Sequence, residues 1–104
     1  MYVRVGTMEV SRDRLDEAKA VFQERLLPAA RSQKGYRGAA FLVERSTGKT
    51  LMLAWWDTEQ EMHASREYAS ENRDDAARAI GSDPPTVEEY EVAVWDFRDD
   101  ERLS

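Results

Sequence analysis

The chain has 104 residues and no cysteine, so it can build one hydrophobic core and has no disulfide, zinc–thiolate site, iron–sulfur cluster or thiol nucleophile. Its formal net charge of −6 at pH 7 argues against nucleic acid or an anionic membrane as a partner. No apolar run approaches the roughly 20 residues of a bilayer span and no signal-peptide pattern opens the chain, so we expect a cytoplasmic protein.

The first 35 residues predict a strand and then a helix. Residues 2–10 (YVRVGTMEV) are rich in β-branched side chains, which favour a strand. Ser11 or Asp13 is placed to cap the helix that follows, since its side-chain oxygen accepts hydrogen bonds from free backbone N–H groups. Pro28 should kink or loosen the last turn, and Gly35 suits the left-handed position just past the helix end. The apolar face of this helix repeats at helical spacing and consists of Leu15, Ala18, Phe22, Leu26 and Ala29.

The middle of the chain predicts a β-hairpin. Residues 36–45 (YRGAAFLVER) and 49–58 (KTLMLAWWDT) are two apolar runs of strand length. The residues between them include Gly48, which supplies the positive φ that a tight turn requires.

A second helix and a fourth strand complete the pattern. Thr58 and Glu61 match the capping-box spacing and begin the helix. The polar run SENRDD at 70–75 is where we expect this helix to break, and GSDPP at 81–85 ends it. Residues 87–97 (VEEYEVAVWDF) predict the last strand.

The order of elements is therefore βαββαβ, which belongs to the α+β class. This order is typical of the ferredoxin-like fold, a four-stranded antiparallel sheet with both helices on one face. We expect a single domain over residues 1–97 and a charged C-terminal tail over 98–104.

Three of the predicted strands are apolar on both faces, although helices can cover only one. The third strand has Leu51, Leu53 and Trp55 on one face and Met52, Ala54 and Trp56 on the other. The second strand has Phe41 and Val43 opposite Ala40 and Leu42, and the fourth has Tyr90, Val92 and Val94 opposite Ala93, Trp95 and Phe97. Burying even ~400 Å² of such a face is worth roughly 10 kcal/mol before association costs. We therefore expect a homodimer in which two sheets meet face to face, a dimeric α+β barrel.

The segment YRGAAFLVERSTGKTLMLAWWDTEQEM at 36–62 resembles the centre of antibiotic-biosynthesis-monooxygenase-like domains. In that family a glycine-led strand pairs with a strand that ends in tryptophan, followed by an acidic or polar residue and Ser or Thr. Trp56, Asp57 and Thr58 match this ending, and the last predicted strand is also similar. The resemblance implies a pocket between sheet and helices. Some members oxygenate electron-rich phenols or anthrones without metal or flavin, others break down haem, and many have no known activity.

By this resemblance the chain is a monooxygenase that uses no metal and no other cofactor and acts on a small aromatic or polycyclic, phenol- or anthrone-like substrate. Such chemistry needs a dry site with a few donors that hold the substrate anion. The candidate catalytic residues are Trp56, Tyr90 and His63, and the candidate substrate-binding residues are Trp55, Tyr36, Tyr68 and Ser65. Each aromatic residue is equally compatible with ordinary core packing. The alternative function is a non-catalytic dimeric module of the same fold that binds a small apolar ligand or acts by assembly.

The family pattern argues against a catalytic role for His63 and against haem breakdown. Many members have a histidine nine residues after the strand-ending tryptophan, where this chain has Ser65, and His63 is turned about 200° away on a helix. In the haem-degrading branch the pocket tryptophan would fall at Ser65, the iron-ligating histidine at Asp75 and a first-strand asparagine near Thr7. None of these residues replaces an imidazole on haem iron, which argues against haem breakdown.

Overall fold

A computed structural model describes residues 1–98, and in it four antiparallel strands form one sheet with the helices on one face. The strands are β1 (Tyr2–Glu9), β2 (Tyr36–Glu44), β3 (Lys49–Trp56) and β4 (Thr86–Glu91). Their order across the sheet is β2-β3-β1-β4. This is the ferredoxin-like arrangement that the sequence predicts. The predicted charged tail lies, from residue 99 onward, outside the described residues.

The first helical region is divided by a wide turn. Its segments are a 3₁₀ turn (Arg12–Arg14), α1 (Leu15–Val21), a π-helical turn (Phe22–Leu26) and α2 (Leu27–Arg31). The N–H of Leu27 donates to the carbonyl of Phe22, five residues back. This turn directly precedes Pro28, whose ring would collide with the carbonyl of residue i−4 in a regular α-helix. The helix is therefore loosened in the turn before the proline, whereas the last turn, where the sequence predicts the loosening, stays α-helical.

The two predicted helix caps have different outcomes. Thr58 caps the second helical region, because its Oγ1 accepts a hydrogen bond from the N–H of Glu61 at 3.1 Å. Ser11 precedes the 3₁₀ turn, but its side chain makes no capping bond. The N–H of Arg14 donates instead to the backbone carbonyl of Ser11 at 2.8 Å. Asp13 lies within the 3₁₀ turn, and α1 has no side-chain cap at its start. The predicted side-chain cap at Ser11 or Asp13 is therefore wrong, since the tight turn satisfies a free N–H with backbone oxygen.

The second helical region consists of α3 (Glu59–Ala64) and α4 (Arg66–Ala79). It breaks at Ser65 and not within residues 70–75, which stay helical. The sequence-based position of the break is therefore wrong.

A long-range contact accounts for the break at Ser65. Arg4 of β1 donates from Nη2 to the carbonyl of Met62 at 2.6 Å and from Nη1 to the hydroxyl of Ser65 at 3.1 Å. The Ser65 hydroxyl donates to the same Met62 carbonyl at 2.8 Å. In a continuous helix that carbonyl would accept the N–H of Arg66. The arginine thus replaces a helical hydrogen bond and fixes the helix to the sheet.

The β2–β3 turn contains the predicted glycine. Gly48 has φ +85°, a conformation that side chains with a Cβ rarely adopt. Its carbonyl accepts the N–H of Val10 at 2.9 Å, and a Cβ on Gly48 would overlap the carbonyl oxygen of Val10. The turn therefore requires glycine for both its backbone angle and its close packing.

Side chains of even number on β1 and β3 face the helices. Met8, Met52 and Trp56 are buried there, and Met8 belongs to a core cluster with Val10, Leu15, Ala18, Ala77 and Ile80. The opposite face, which we call the outer face, carries the odd-numbered side chains of these strands, Val3, Val5, Thr7, Leu51, Leu53 and Trp55. The outer face is thus largely apolar and has no helix over it.

The fourth strand ends at Glu91, six residues before its predicted end at residue 97. It pairs with β1, and Glu91 lies opposite Tyr2 at the start of that strand. One further bond joins the N–H of Val92 to the carbonyl of Met1 at 2.9 Å. Beyond this point the neighbouring strand supplies no partner, so the predicted alternation of residues 92–97 is wrong. The segment instead places the ring of Trp95 against Trp55, with centroids 5.9 Å apart.

Among residues 1–98, none of the helices has the length and apolar character that crossing a membrane requires. The same part of the chain contains no group of three acidic or histidine side chains that could hold a metal ion.

Candidate functional site

A cavity of about 70 Å³ lies between the helix-facing side of the sheet and the helices. The sheet contributes one wall that includes Arg4, Gly6, Ala39, Met52, Ala54 and Trp56. The first helical region contributes Phe22, Leu26, Leu27, Ala29, Ala30 and Gln33, and the second contributes Ser65, Tyr68, Ala69, Asn72 and Arg73. Most of these residues are apolar, and the few polar groups are the ones able to orient a ligand.

Trp56 is the most deeply buried aromatic residue of the cavity. It is the last residue of β3, has an even position and so faces the helices, and is 1% exposed. Tyr36 meets its ring edge-to-face at 6.2 Å, and the guanidinium carbon of Arg4 lies 5.8 Å from its ring centroid. Its indole Nε1–H has no hydrogen-bond partner among residues 1–98. A buried indole N–H normally has an acceptor, so this donor is available to a ligand.

Arg4 is a buried arginine whose hydrogen bonds are made within the protein. It is 3% exposed and donates from Nε to Glu89 at 3.0 Å, in addition to its bonds with Ser65 and Met62. Burial lowers the pKa of Arg4, and the hydrogen bond with Glu89 opposes that shift. Because its donors point to protein acceptors, Arg4 holds the wall of the cavity together.

Arg73 is the other arginine of the cavity, and it is differently placed. It lies on α4, is partly buried and makes no hydrogen bond or ion pair with any residue in 1–98. Burial lowers the pKa of Arg73 and the charge of Arg4 lowers it further, whereas the carboxylates of Asp74 and Glu89 oppose the shift without pairing with the guanidinium. Its Cδ lies 3.8 Å from the position that a Cβ on Gly6 would take, which places the arginine stem over the middle of β1.

The structure brings together three of the residues that the sequence singles out. Trp56, Ser65 and Tyr68 all line the cavity, and Tyr36 contacts the Trp56 ring from the neighbouring strand. The hydroxyl of Ser65 is occupied by the bonds with Arg4 and Met62. Of these residues, Trp56 alone offers a buried donor without a partner.

The other candidates lie elsewhere. Trp55 and Tyr90 are on the outer face, where Tyr90 pairs with Val3 and is 48% exposed. The Tyr90 hydroxyl donates to Glu88 at 2.6 Å, which raises the pKa of Tyr90. His63 is on the surface of α3, 3.8 Å from Glu59. The sheet therefore separates Tyr90 from Trp56, and the three candidate catalytic residues do not form one site.

The sequence-based predictions include neither arginine of the cavity. Arg4 and Met8 are both even-numbered residues of β1 and so lie on the same face of the strand. The alternation of side chains therefore could have predicted a charged residue on the face that meets the helices. Arg73 lay inside the polar run that suggested a helix break, and no local pattern marks it as a cavity residue. Its position depends on how α4 packs over β1.

The fold and cavity define the chain as a ferredoxin-like α+β domain with a largely apolar cavity between its sheet and its helices. Residues 1–78 match the family model for antibiotic biosynthesis monooxygenases, and the chain belongs to this family. Among proteins of known sequence it is 33% identical over 94 residues to the uncharacterised protein Rv2557 of Mycobacterium tuberculosis. That match covers 90% of this chain and 42% of Rv2557, so the chain spans about two-fifths of the relative's length.

Two solved structures show the same fold at low sequence identity. One is a monooxygenase from the gene ActVA-Orf6 of Streptomyces coelicolor in complex with the ligand nanaomycin D, with a TM-score of 0.73 and 14% identity over 94% of this chain and 92% of that one. The other is a mutant of MhuD with two manganese protoporphyrin IX molecules bound per active site, with a TM-score of 0.74 and 16% identity over 94% of this chain and all of that one. At these identities the likeness extends to the fold alone.

Proposed function

We propose that this protein is a cofactor-independent monooxygenase that oxidises a small aromatic or polycyclic substrate, of the phenol or anthrone class, in the cavity beside Trp56. The observation that carries the proposal is the buried indole N–H of Trp56, which is unpaired within residues 1–98 and belongs to a residue that lines a largely apolar cavity. Family membership and the monooxygenase among the structural neighbours support it.

The chemistry asks the protein to bind an anion and to exclude water. An anthrone loses a proton, and its anion passes one electron to O₂. The resulting radical and superoxide combine into a peroxide anion, which takes back a proton to form a hydroperoxide and then loses water to leave a quinone carbonyl. Overall, a CH₂ group and O₂ become a C=O group and water. The indole N–H would stabilise the substrate oxyanion, because a donor in a site of low polarity acts more strongly than in water.

The cavity supplies donors but no general base of its own. None of its lining residues is Asp, Glu or His. Substrate ionisation therefore depends on the acidity of the substrate, which the donors increase by stabilising its anion. The same observation favours the second candidate function, a module that binds an acidic aromatic molecule without transforming it.

The residues at the positions of the pocket tryptophan and iron-ligating histidine of the haem-degrading branch do not support haem breakdown by this chain. Asp75 is exposed and ion-paired with Arg78, and the hydroxyl of Ser65 is held by Arg4 and Met62. Neither residue offers the imidazole ligand that haem iron takes in many proteins.

Replacing Trp56 with phenylalanine tests the oxygenase proposal. We expect the rate of O₂ consumption with dithranol or another anthrone to fall roughly 10- to 100-fold, because the change removes one donor to the oxyanion and keeps an aromatic ring. The measurement is O₂ uptake with an electrode, together with quinone formation by absorbance. Trp95→Phe is the matched control and should retain the wild-type rate, since Trp95 contacts Trp55 and Phe97 away from the cavity. If turnover with a broad panel of anthrones and hydroquinones stays at the buffer rate, the oxygenase proposal is wrong and the non-catalytic binding module is favoured.

We also propose that two copies associate through their outer faces. This face lies opposite the helices and holds Val5, Leu51 and Trp55, while Leu42 is 47% exposed and Tyr90 48%. The segment after β4 adds Trp95 at 47% exposure beside it. Monomers rarely leave large contiguous apolar patches open, so a face of this composition favours a partner. A second sheet of the same chain has the matching shape and polarity.

A further inference from the structure

The charge of the cavity has the opposite sign to the charge of the protein. The chain carries a formal charge of −6, whereas the cavity lining contains two arginines and no acidic residue. One of the two, Arg4, is neutralised by Glu89 at 3.0 Å. The charge of Arg73 has no such partner within residues 1–98.

An unpaired arginine in this position costs stability. Arg73 is partly buried beside Met52 and Gly6, and burial and the like charge of Arg4 outweigh the more distant carboxylates of Asp74 and Glu89. A partly buried cation without a counter-ion is unfavourable, and an apolar side chain of the same length would pack there without that cost. Groups that cost stability in the ligand-free state are characteristic of binding sites.

We propose that Arg73 anchors the carboxylate of an aromatic acid, so that the ligand carries its own permanent negative charge into the cavity. The apolar walls take the ring, and the guanidinium takes the acid group. One unpaired arginine balances one monovalent anion, and its planar fork matches a carboxylate in a bidentate pair. This inference rests on the proposed cavity as the binding site and does not depend on oxygenation.

The test uses two pairs of ligands that differ in charge and hardly in shape: benzoate with benzamide, and 1-naphthoate with 1-naphthamide. Binding is measured by calorimetry at fixed ionic strength, and by the shift of the Trp56 indole N–H signal in a proton–nitrogen NMR spectrum. We expect the acid to bind at least about 10-fold more tightly than the amide in one pair or both. Arg73→Met should abolish that preference, while Arg78→Met, an exposed arginine of the same helix, should retain it.

A second measurement needs no ligand. Without ligand, Arg73→Met should melt roughly 4 °C above the wild type, because it removes an unpaired charge from a partly buried position. A purely structural arginine would give a lower midpoint, and that result would overturn the proposal.

Equal binding of acids and amides, failure of both acids to bind at millimolar concentration, or an acid preference that survives Arg73→Met would also overturn it. This test does not measure O₂ consumption, so it can fail while the oxygenase proposal holds. It can also succeed for a protein that binds an aromatic acid without oxidising it.

Discussion

Glu89→Ala is expected to lower the free energy of unfolding by about 3 kcal/mol. Glu89 is the acidic partner of Arg4, which is 3% exposed, and it also accepts from Arg66 on the surface. Removing one partner of a buried pair leaves the other charge uncompensated, which is the costly way to break such a pair. Arg4 keeps its bonds to Ser65 and Met62, so the loss should be at the lower end of the range for buried pairs. Urea denaturation at pH 7 measures the effect.

The pH dependence of this effect gives a sharper test. Burial alone would raise the pKa of Glu89, but hydrogen bonds from Arg66 and Arg4 lower it below its ordinary value of 4.5. A carboxylate whose pKa is depressed by folding contributes stability above its unfolded pKa and loses it as the pH falls through the folded one. The difference between wild type and Glu89→Ala should therefore be constant from pH 7 to about 5 and shrink on further acidification.

Glu91→Ala is the matched control for Glu89→Ala. Glu91 lies two residues further along the same strand, is exposed and makes no side-chain bond with any residue in 1–98. Its replacement changes the strand propensity in the same way and should cost less than about 0.5 kcal/mol. Equal losses in the two variants would show that the Arg4–Glu89 pair contributes nothing specific.

Leu51→Glu is expected to convert the proposed dimer into a monomer at micromolar concentration. Leu51 lies on a central strand of the outer face, between Thr7 of β1 and Leu42 of β2. In a sheet-to-sheet interface its charge would be buried without a partner, at a cost of several kcal/mol per copy. Both copies carry the substitution, so the penalty counts twice. Sedimentation velocity at 1 to 100 μM measures the result.

The control for Leu51→Glu is Val87→Glu, an exposed apolar position on the edge strand β4. Val87 is 39% exposed and pairs with Gly6, so it belongs to the face that meets the helices. This variant should keep the oligomeric state of the wild type. A wild-type chain that sediments as a stable, well-folded monomer over the whole concentration range would contradict the proposed association.

The fold could be predicted because its signals are local. Gly48 in the hairpin and Thr58 at the helix start each act on backbone groups within a few residues, and the structure confirms both. Two of the predicted features that proved wrong, the position of the helix break and the end of the fourth strand, depend on distant parts of the chain. The break at Ser65 requires Arg4, and β4 ends at Glu91 because the neighbouring strand starts at Tyr2.

The sequence by itself determined the order of the elements, the two apolar faces of the sheet and the membership of a family. It also determined that Trp55 and Trp56 face opposite ways, because successive side chains of a strand must do so. Only the tertiary structure decided that the helices lie on the side of Trp56, which places this residue in the cavity and leaves Trp55 outside. The same packing of α4 over β1 brings Arg73 beside Arg4, although 69 positions separate them in the sequence. Strand alternation is a property of neighbouring residues, whereas the contents of a cavity are set by which elements meet across it.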